Sequence, residues 1–535
     1  MVGRGLVVVR WWCHPVWVAV LVAGSLQVLW AVFLVNGGGD MAAQYAWTQF
    51  AASAPGAAYN LAWYGGMHPV SYSVLTPYLM AWLGVRTAAV VAGTLSAAVL
   101  ARLLVRCGLR RPLLPAVCGA AGLSCDTASG RITFGIGVFF ALAAVLVVYE
   151  TRSRPLGAAA AGLLAVLATL ASPVDGLFLL SVAPAMLWTG RRAAGLALAV
   201  GPVLVVATTT ALFPFYGVEP FPLREAAMVV ATTLPVALLA PSTWRTVRTT
   251  AWVYLLGSLL CLLIPSPVGS NVERLALLFA ASVLLAAART TRGRRRTVLW
   301  TAFALALAWQ TCFPIDDLWD IAPASGWSQY VKPLEAELTT LDADRSRIEV
   351  VPTSTHIESS LLIPHVELAR GWNQQVDIMR NPLFYRPTLT PAAYHTWLHT
   401  WAVQYVVLPN APLDQGAVAE GRIVTAGAPW LQPVWHDTHW QLYRVTDAVP
   451  LASTPARVLQ AGESTLTLQV PTAGSILVRV VWSPWLQILD HGDGCLTPDG
   501  PWTLLHAHTP GTYRIGAPYT LHRPPPCPKP TPQDH

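Results

Sequence analysis

Long apolar windows recur from the start of the chain to about residue 312, and they constrain the fold more than any other feature. They lie near 16–35, 85–105, 112–126, 132–149, 156–171, 174–189, 194–213, 226–241, 250–264, 274–289 and 297–312. A helix needs about 20 apolar residues to cross a hydrocarbon core of about 30 Å. Several windows are shorter and rich in Ala and Gly, as in helices that pack closely through small side chains. Only 11% of the residues are charged and the mean hydropathy is +0.48, whereas soluble domains carry about 25% charge. The composition is that of an integral membrane protein. Residues 70–84 read as a re-entrant or interfacial piece, and the first apolar run as a retained anchor rather than a cleaved leader.

Charge orders the windows. Residues 1–312 hold 21 Arg, no Lys and 7 acidic residues, net +14, whereas residues 313–535 hold 13 basic and 20 acidic residues, net −7. Counted from a cytoplasmic N-terminus, every inner connection carries at least two Arg, from Arg4/Arg10 to the run Arg292–Arg296. The outer connections carry Asp40, Asp126, Asp175, Glu219, Glu225 and Glu273, with Arg131, Arg224 and Arg274 as their basic residues. This is the positive-inside pattern. It predicts a multi-pass plasma-membrane protein of about eleven spans, with its N-terminus inside and its C-terminal region outside. Nucleic-acid binding is disfavoured, because the basic half is also the membrane half.

The C-terminal region is long enough for one or two soluble cores. Residues 313–450 alternate strand and helix: a strand at 347–352, a helix at 391–401, and strands at 402–408 and 440–446. Residues 451–523 turn to short strands at 465–470, 475–483, 502–507 and 511–522, suggesting a small β-sandwich. Residues 524–535 are Pro-rich and read as disordered. Cys495 and Cys527 pair if this region is outside the cytoplasm, while the other six cysteines pack as small hydrophobes.

The residues with chemical potential gather near the outer connections. Asp40 is the one acidic residue in the first 125 positions and follows the first span in a Gly-rich turn. A carboxylate there either serves as a general base for a hydroxyl acceptor or caps the short helix starting at Met41. Gln44 and Tyr45 follow one turn later, and Asp40 and Gln44 share a face. His68 closes the same loop, and Trp63 and Tyr64 offer either a sugar-stacking surface or an interfacial belt. Arg131, and Arg274 with Asn271 nearby, run against the charge rule. Their guanidinium forks suit an anionic lipid phosphate, or else pair with Asp126 and Glu273.

In the tail, His395 and His399 stand four apart on one helical face, as metal ligands do, but without an evident third ligand. His436 and His439, flanked by Trp435 and Trp440, read as an aromatic surface or core edge. His356/Glu358 and Trp372/Gln374/Asp377 form a polar-aromatic cluster suited to carbohydrate contacts. Walker A, GxGxxG, HExxH and GxSxG patterns are absent from the sequence, which disfavours a nucleotide-driven pump, a dinucleotide enzyme and a serine hydrolase.

The opening helix, Gly-Asp40-Met-Ala-Ala-Gln44-Tyr45 and the aromatic loop into His68-Pro69 resemble the start of GT-C-type membrane glycosyltransferases. The likeness is nearest to YfhO-like and related multi-spanning bacterial proteins. Gly130-Arg131-Ile-Thr-Phe, Val268-Gly-Ser-Asn271-Val-Glu-Arg274-Leu, Val350-Val-Pro-Thr353, Ala369-Arg-Gly371-Trp372 and Asn381-Pro-Leu-Phe-Tyr385 resemble pieces of actinobacterial members. The resemblance implies a GT-C-like fold and transfer of a sugar from a polyprenyl-phosphate donor to an envelope glycan, lipid or protein acceptor outside the cell. Asp40 would be the base. The sequence lacks a clear Asp-x-Asp or Glu-Asp pair of the kind some GT-C families carry, so a divalent metal has no supporting ligand motif and no cofactor is assigned. A transporter or lipid flippase, or a non-catalytic glycan-binding assembly protein on the same scaffold, is the competing expectation.

Overall fold

A computed structural model describes residues 14–35, 39–151, 154–319, 324–387, 389–490, 492–520, 523 and 527. Asn36–Gly38, the start of the Gly-rich turn, and all of 524–535 except Cys527 lie outside them, so the expected disorder falls there too. The chain divides into two units. The first comprises Met1–Gln44 and Ser73–Ile321; the second comprises Tyr45–Tyr72 and Ala322–His535.

The first unit is helical. Its elements are α1 (Pro15–Leu29, continued by a π-turn over Trp30–Leu34), the start of α2 (Met41–Ser53), α3 (Thr76–Leu83), α4 (Val85–Arg106), α5 (Leu113–Ala128), α6 (Ile132–Glu150) and α7 (Pro155–Ala171). Then come α8 (Pro173–Trp188), α9 (Arg192–Leu212), α10 (Leu223–Leu239), α11 (Arg245–Leu263), α12 (Arg274–Thr290) and α13 (Arg294–Trp319). Each of the eleven apolar windows is a helix. Among the described residues, six helical segments are long and apolar enough to cross a membrane: Pro15–Leu34, Val85–Arg106, Ile132–Glu150, Arg192–Leu212, Arg245–Leu263 and Gly269–Thr290. The stretch expected to be re-entrant holds a 3-10 turn at Pro69–Ser71, in the second unit, and α3, in the first.

Small residues let these helices approach. α1 packs on α4 and α5 through Ala19, Ala23, Ala97, Ala101, Ala116 and Ala120, all buried. Polar side chains add hydrogen bonds where lipid offers none. Gln27 on α1 is fully buried and donates to the Thr127 hydroxyl on α5 at 2.9 Å. Other extensive contacts include α4–α6, α6–α7, α7–α9, α8–α9, α10–α11, α8–α11 and α12–α13, with α12 also resting on α5.

The second unit contains a five-stranded mixed sheet and two antiparallel sheets. Its helices are α14 (Ala324–Thr340), α15 (Ile357–Leu361), α16 (Gln374–Arg380), α17 (Pro391–Thr400) and α18 (Val418–Ala426). The mixed sheet has the order β2–β1–β3–β5–β4, from β1 (Arg347–Val350), β2 (Glu367–Leu368), β3 (Val403–Pro409), β4 (Leu431–His436) and β5 (Trp440–Val445). β1 lies parallel to β2 and β3, and β5 antiparallel to β3 and β4. One antiparallel sheet runs β6 (Arg457–Ala461), β7 (Thr465–Val470), β12 (Gly511–Gly516) and β9 (Gln487–Ile488). The other runs β10 (Gly494–Asp499), β11 (Trp502–Ala507) and β8 (Gly474–Val481). Alternate residues Leu466, Leu468 and Val470 of β7 are buried, as a strand with one covered face requires. Cys495 and Cys527 form a disulfide.

Two buried arginines organise the mixed sheet. Arg347 is fully buried, pairs with Glu367 at 3.2 Å and donates to the carbonyls of Trp401 and Arg479. Arg370 donates to Asp377 at 2.7 Å and Glu420 at 2.9 Å, and its guanidinium lies 4.0 Å from the Phe384 ring. Removing one partner of such a pair leaves an unpaired buried charge, at a cost of about 3–5 kcal/mol.

The loop 45–72, expected with residues 1–312, is built into this unit. Its backbone completes edges that the strands leave open. Ala62 accepts from Leu368 N–H, Gly65 from Val481 N–H, and Leu61 donates to the Glu463 carbonyl. Its side chains follow. His68 Nδ1 lies 2.7 Å from the Ala58 carbonyl and Nε2 3.0 Å from Ser483 Oγ, and burial lowers its pKa from 6.5 to about 4. A histidine whose folded pKa is depressed supports the fold above its unfolded pKa and loses that support as pH falls toward the folded value. Acidification from pH 7 to 5 should therefore cost on the order of 1–2 kcal/mol through this residue. His68→Gln should flatten the fall in melting temperature between pH 7 and 5. An unchanged slope would show that His68 is not the group responsible.

Candidate functional site

Asp40 begins α2, and the backbone fixes it there. Its carbonyl accepts from Gln44 N–H, and its own N–H donates to the Ser129 carbonyl at 3.3 Å. Gly39 adopts φ +57°, and a Cβ there would stand 2.2 Å from the Ser129 oxygen. The glycine before Asp40 is thus required twice, by conformation and by space. Gln44, on the same face, is buried, and its amide oxygen accepts from both the hydroxyl (2.6 Å) and the N–H (3.3 Å) of Thr133 at the start of α6. Thr133 also accepts from the Thr76 hydroxyl at 3.1 Å, which ties α3 to the same point. Gln44 therefore ties the first turn of α2 to the start of α6.

Arg274, the first residue of α12, places a guanidinium nitrogen 3.6 Å from an Asp40 carboxylate oxygen. The side chain of Asp40 is 34% exposed and that of Arg274 16%, so the carboxylate is reachable and its partner largely enclosed. The Arg274 fork also lies over the Phe134 ring, 5.2 Å from its centroid. Glu273, a partner expected for Arg274, lies within electrostatic range of both Arg274 and Arg131. Arg131, the residue before α6, pairs with Asp126 of α5 at 3.8 Å. Asp126 lies within electrostatic range of Arg131, Arg274 and Asp40 together. Asp40, Arg131 and Arg274 therefore converge at one end of the helices. Asn271 sits in the 3-10 turn Gly269–Glu273 that leads into Arg274.

Three more acids lie within electrostatic range of Arg274. Asp175 and Glu273 are buried beside it. Glu219, in the connection between α9 and α10, accepts from Ser270 Oγ at 3.0 Å. Burial raises its pKa from 4.5 to about 7; Ser270 and Arg274 pull it down, and Asp40 pushes it up. A signal was present in the sequence: acidic residues recur at the predicted outer connections, and a set of charges with few lysines nearby must be paired by Arg or buried.

The remaining candidates lie in the second unit. Tyr45 is half-buried on α2. Trp63 is fully buried, donates its indole N–H to the Ser359 carbonyl and meets Trp47 edge-on. Its expected sugar-stacking face does not fit this burial, because its aromatic surface is spent on the core. Tyr64 is likewise buried and donates to the Gly371 carbonyl. Of the polar-aromatic cluster expected to contact carbohydrate, His356, Glu358 and Asp377 are buried, Trp372 is half-buried and Gln374 is exposed. Asp377 holds Arg370, Glu358 accepts from Thr353, and His356 stacks on Trp372 at 3.7 Å. These side chains build the domain.

Residues 453–532 match the family model of a domain of unknown function, DUF8823. No curated protein sequence matches the chain. Among solved structures, the chain is similar to the arabinofuranosyltransferase AftD from mycobacteria, at 17% identity and a TM-score of 0.48, over 80% of this chain and 40% of that one. A variant of that enzyme gives 14% identity and 0.44, over 80% and 41%. The archaeal oligosaccharyltransferase AglB from Archaeoglobus fulgidus, solved with an inhibitory peptide and a dolichol-phosphate, gives 11% identity and 0.46, over 75% and 70%. The chain thus spans about two fifths of the arabinofuranosyltransferase.

The geometry at Gly39 makes a direct prediction. Gly39→Ala should lower the melting temperature of the detergent-solubilised protein, at a cost of about 1 kcal/mol or more, because the new Cβ meets Ser129 in a left-handed backbone. An unchanged melting temperature would mean that the turn before Asp40 is not held against α5.

Proposed function

We propose that this protein transfers a sugar from a polyprenyl-phosphate carrier to a hydroxyl of an envelope glycan, lipid or protein on the extracytoplasmic face. In this reading all eleven helices cross the plasma membrane in a GT-C-like arrangement, the N-terminus is cytoplasmic, and the second unit serves as an acceptor-binding or scaffolding domain. The observation that carries the proposal is the contact of Asp40 with Arg274 beside the Arg131–Asp126 pair. A base and two permanent cations in one cluster are the parts that glycosyl transfer from a phosphate requires.

Asp40 takes the proton of the acceptor hydroxyl as that oxygen bonds to the anomeric carbon. The bond from the anomeric carbon to the carrier phosphate breaks, and its electron pair leaves with the phosphate. Arg131 and Arg274 stabilise the charge that develops there. Their present ion pairs are loose, at 3.8 and 3.6 Å, against about 2.7–2.9 Å for a charge-assisted hydrogen bond. A phosphate oxygen can therefore compete for the same donors. Glu219, with its pKa near 7, stands as the second carboxyl able to exchange a proton at neutral pH.

The charges at the ends of α4 to α12 favour this over a carrier, which needs ionisable groups along a path through the helices. Asp40→Asn should lower transfer from a radiolabelled lipid-linked sugar by about 10²- to 10⁴-fold with normal expression and membrane insertion. Full activity in that variant, with loss in Glu219→Gln, would move the base to Glu219. Full activity in both would refute the proposal.

A further inference from the structure

In the second unit, α17 carries His395 and His399 four residues apart, so both imidazoles leave the helix on one face. The corner after β5 brings Asp447 to them, 52 positions on from His395. His395 Nε2 lies 3.0 Å from Asp447 Oδ1, and His399 Nε2 lies 3.3 Å from the same oxygen. All three potential ligand atoms fall within 4.8 Å of one another, and among the described residues this is the one such group. We infer that His395, His399 and Asp447 form a binding site for a divalent cation of the zinc class.

Three observations support it. The first is spacing. Metal–nitrogen and metal–oxygen bonds of about 2.0–2.1 Å at tetrahedral angles place neighbouring ligand atoms about 3.3 Å apart. The two imidazole–carboxylate separations sit at that edge length. The second is the odd histidine. A hydrogen-bonded pair needs only His395, which lies in line with the carboxylate. His399 Nε2 is shielded from solvent and has no hydrogen-bond partner, although it lies 3.3 Å from the same oxygen. A cation between the three groups accounts for both histidines.

The third is prior fixation. Trp430 stacks on His395 at 4.5 Å with an interplanar angle of 14°, and its carbonyl accepts from Thr446 N–H at 3.0 Å. The residue before Asp447 is thus pinned to the ring that orients His395. Thr390 caps α17 by accepting from Ala393 N–H, so the helix that carries both histidines is itself held at its start.

Imidazole with carboxylate suits zinc and its neighbours in the first transition row better than magnesium or calcium, which prefer oxygen throughout. Three protein ligands leave one position open, and the half-exposed Asp447 side chain turns it toward solvent, where water or an external anion would complete the shell. The bound ion would clip α17 to the end of β5.

The test uses the full chain in detergent, purified through a tag other than polyhistidine and stripped with chelator. Cobalt(II) is then titrated in, with the visible ligand-field absorption as readout. The site predicts one equivalent of cobalt with tetrahedral-type bands, displaced by zinc. In His399→Ala and in Asp447→Asn, affinity should fall about tenfold or more, with the chelated proteins melting as wild type does. Absence of a visible band, or a band of equal affinity in both variants, would overturn the proposal. If His399→Ala alone fails to fold, the outcome for Asp447→Asn decides.

Discussion

The contact between Asp40 and Arg274 is the constraint on which the helical unit depends. A carboxylate or guanidinium among apolar helices costs several kcal/mol unless it meets an opposite charge or a wet surface. Asp40 and Arg274 satisfy each other at 3.6 Å, which draws the start of α2 toward the start of α12. Arg131 and Asp126 do the same between α5 and α6 at 3.8 Å. Gln44, Thr133 and Thr76 then fix α2, α6 and α3 to one another by neutral hydrogen bonds. The result joins a reachable carboxylate to enclosed cations, and helix packing holds it in place before any substrate arrives. Such preorganisation is the main way a protein stabilises charge that develops during reaction.

The helices could be read from the chain because apolar runs of that length have few alternatives, and each predicted window lies on a helix. Arg131 and Arg274 were legible for the opposite reason, as charges that broke a pattern. Loop 45–72 was not legible as part of the second unit. It contributes single bridges such as Trp63 to Leu368 and Asn60 to Met67, too short to leave an alternating signature. Trp63 shows the consequence: a tryptophan in an aromatic loop looks the same in sequence whether it faces sugar or core. β4 was missed because Pro433 lies within it, next to a register shift, and proline argues against a strand unless the strand is at an edge. β4 is an edge strand. Asp447 was out of reach because no helical or strand period links it to His395.

The second unit spends its polar residues on itself. Three carboxylates, on Asp377, Glu420 and Glu349, surround Arg370, and burial together with Glu420 pushes the Glu349 carboxyl well above its usual range. Such a network is costly to break and fixes β1, α16 and α18 in one arrangement. Motifs that looked like ligand contacts, from His356 to Asp377, are the means by which this domain holds its shape.

The central claim is that Arg274 and Arg131 recognise a lipid phosphate beside Asp40. The most direct measurement is binding of a polyprenyl-phosphate sugar, and of the same polyprenol without phosphate, to the purified protein and to Arg274→Gln. The account predicts that the wild type prefers the phosphate lipid by about tenfold or more, since a charged hydrogen bond contributes about 1.5–3 kcal/mol, and that Arg274→Gln loses most of that preference. Equal binding of both lipids by the wild type, or an undiminished preference in the variant, would contradict it.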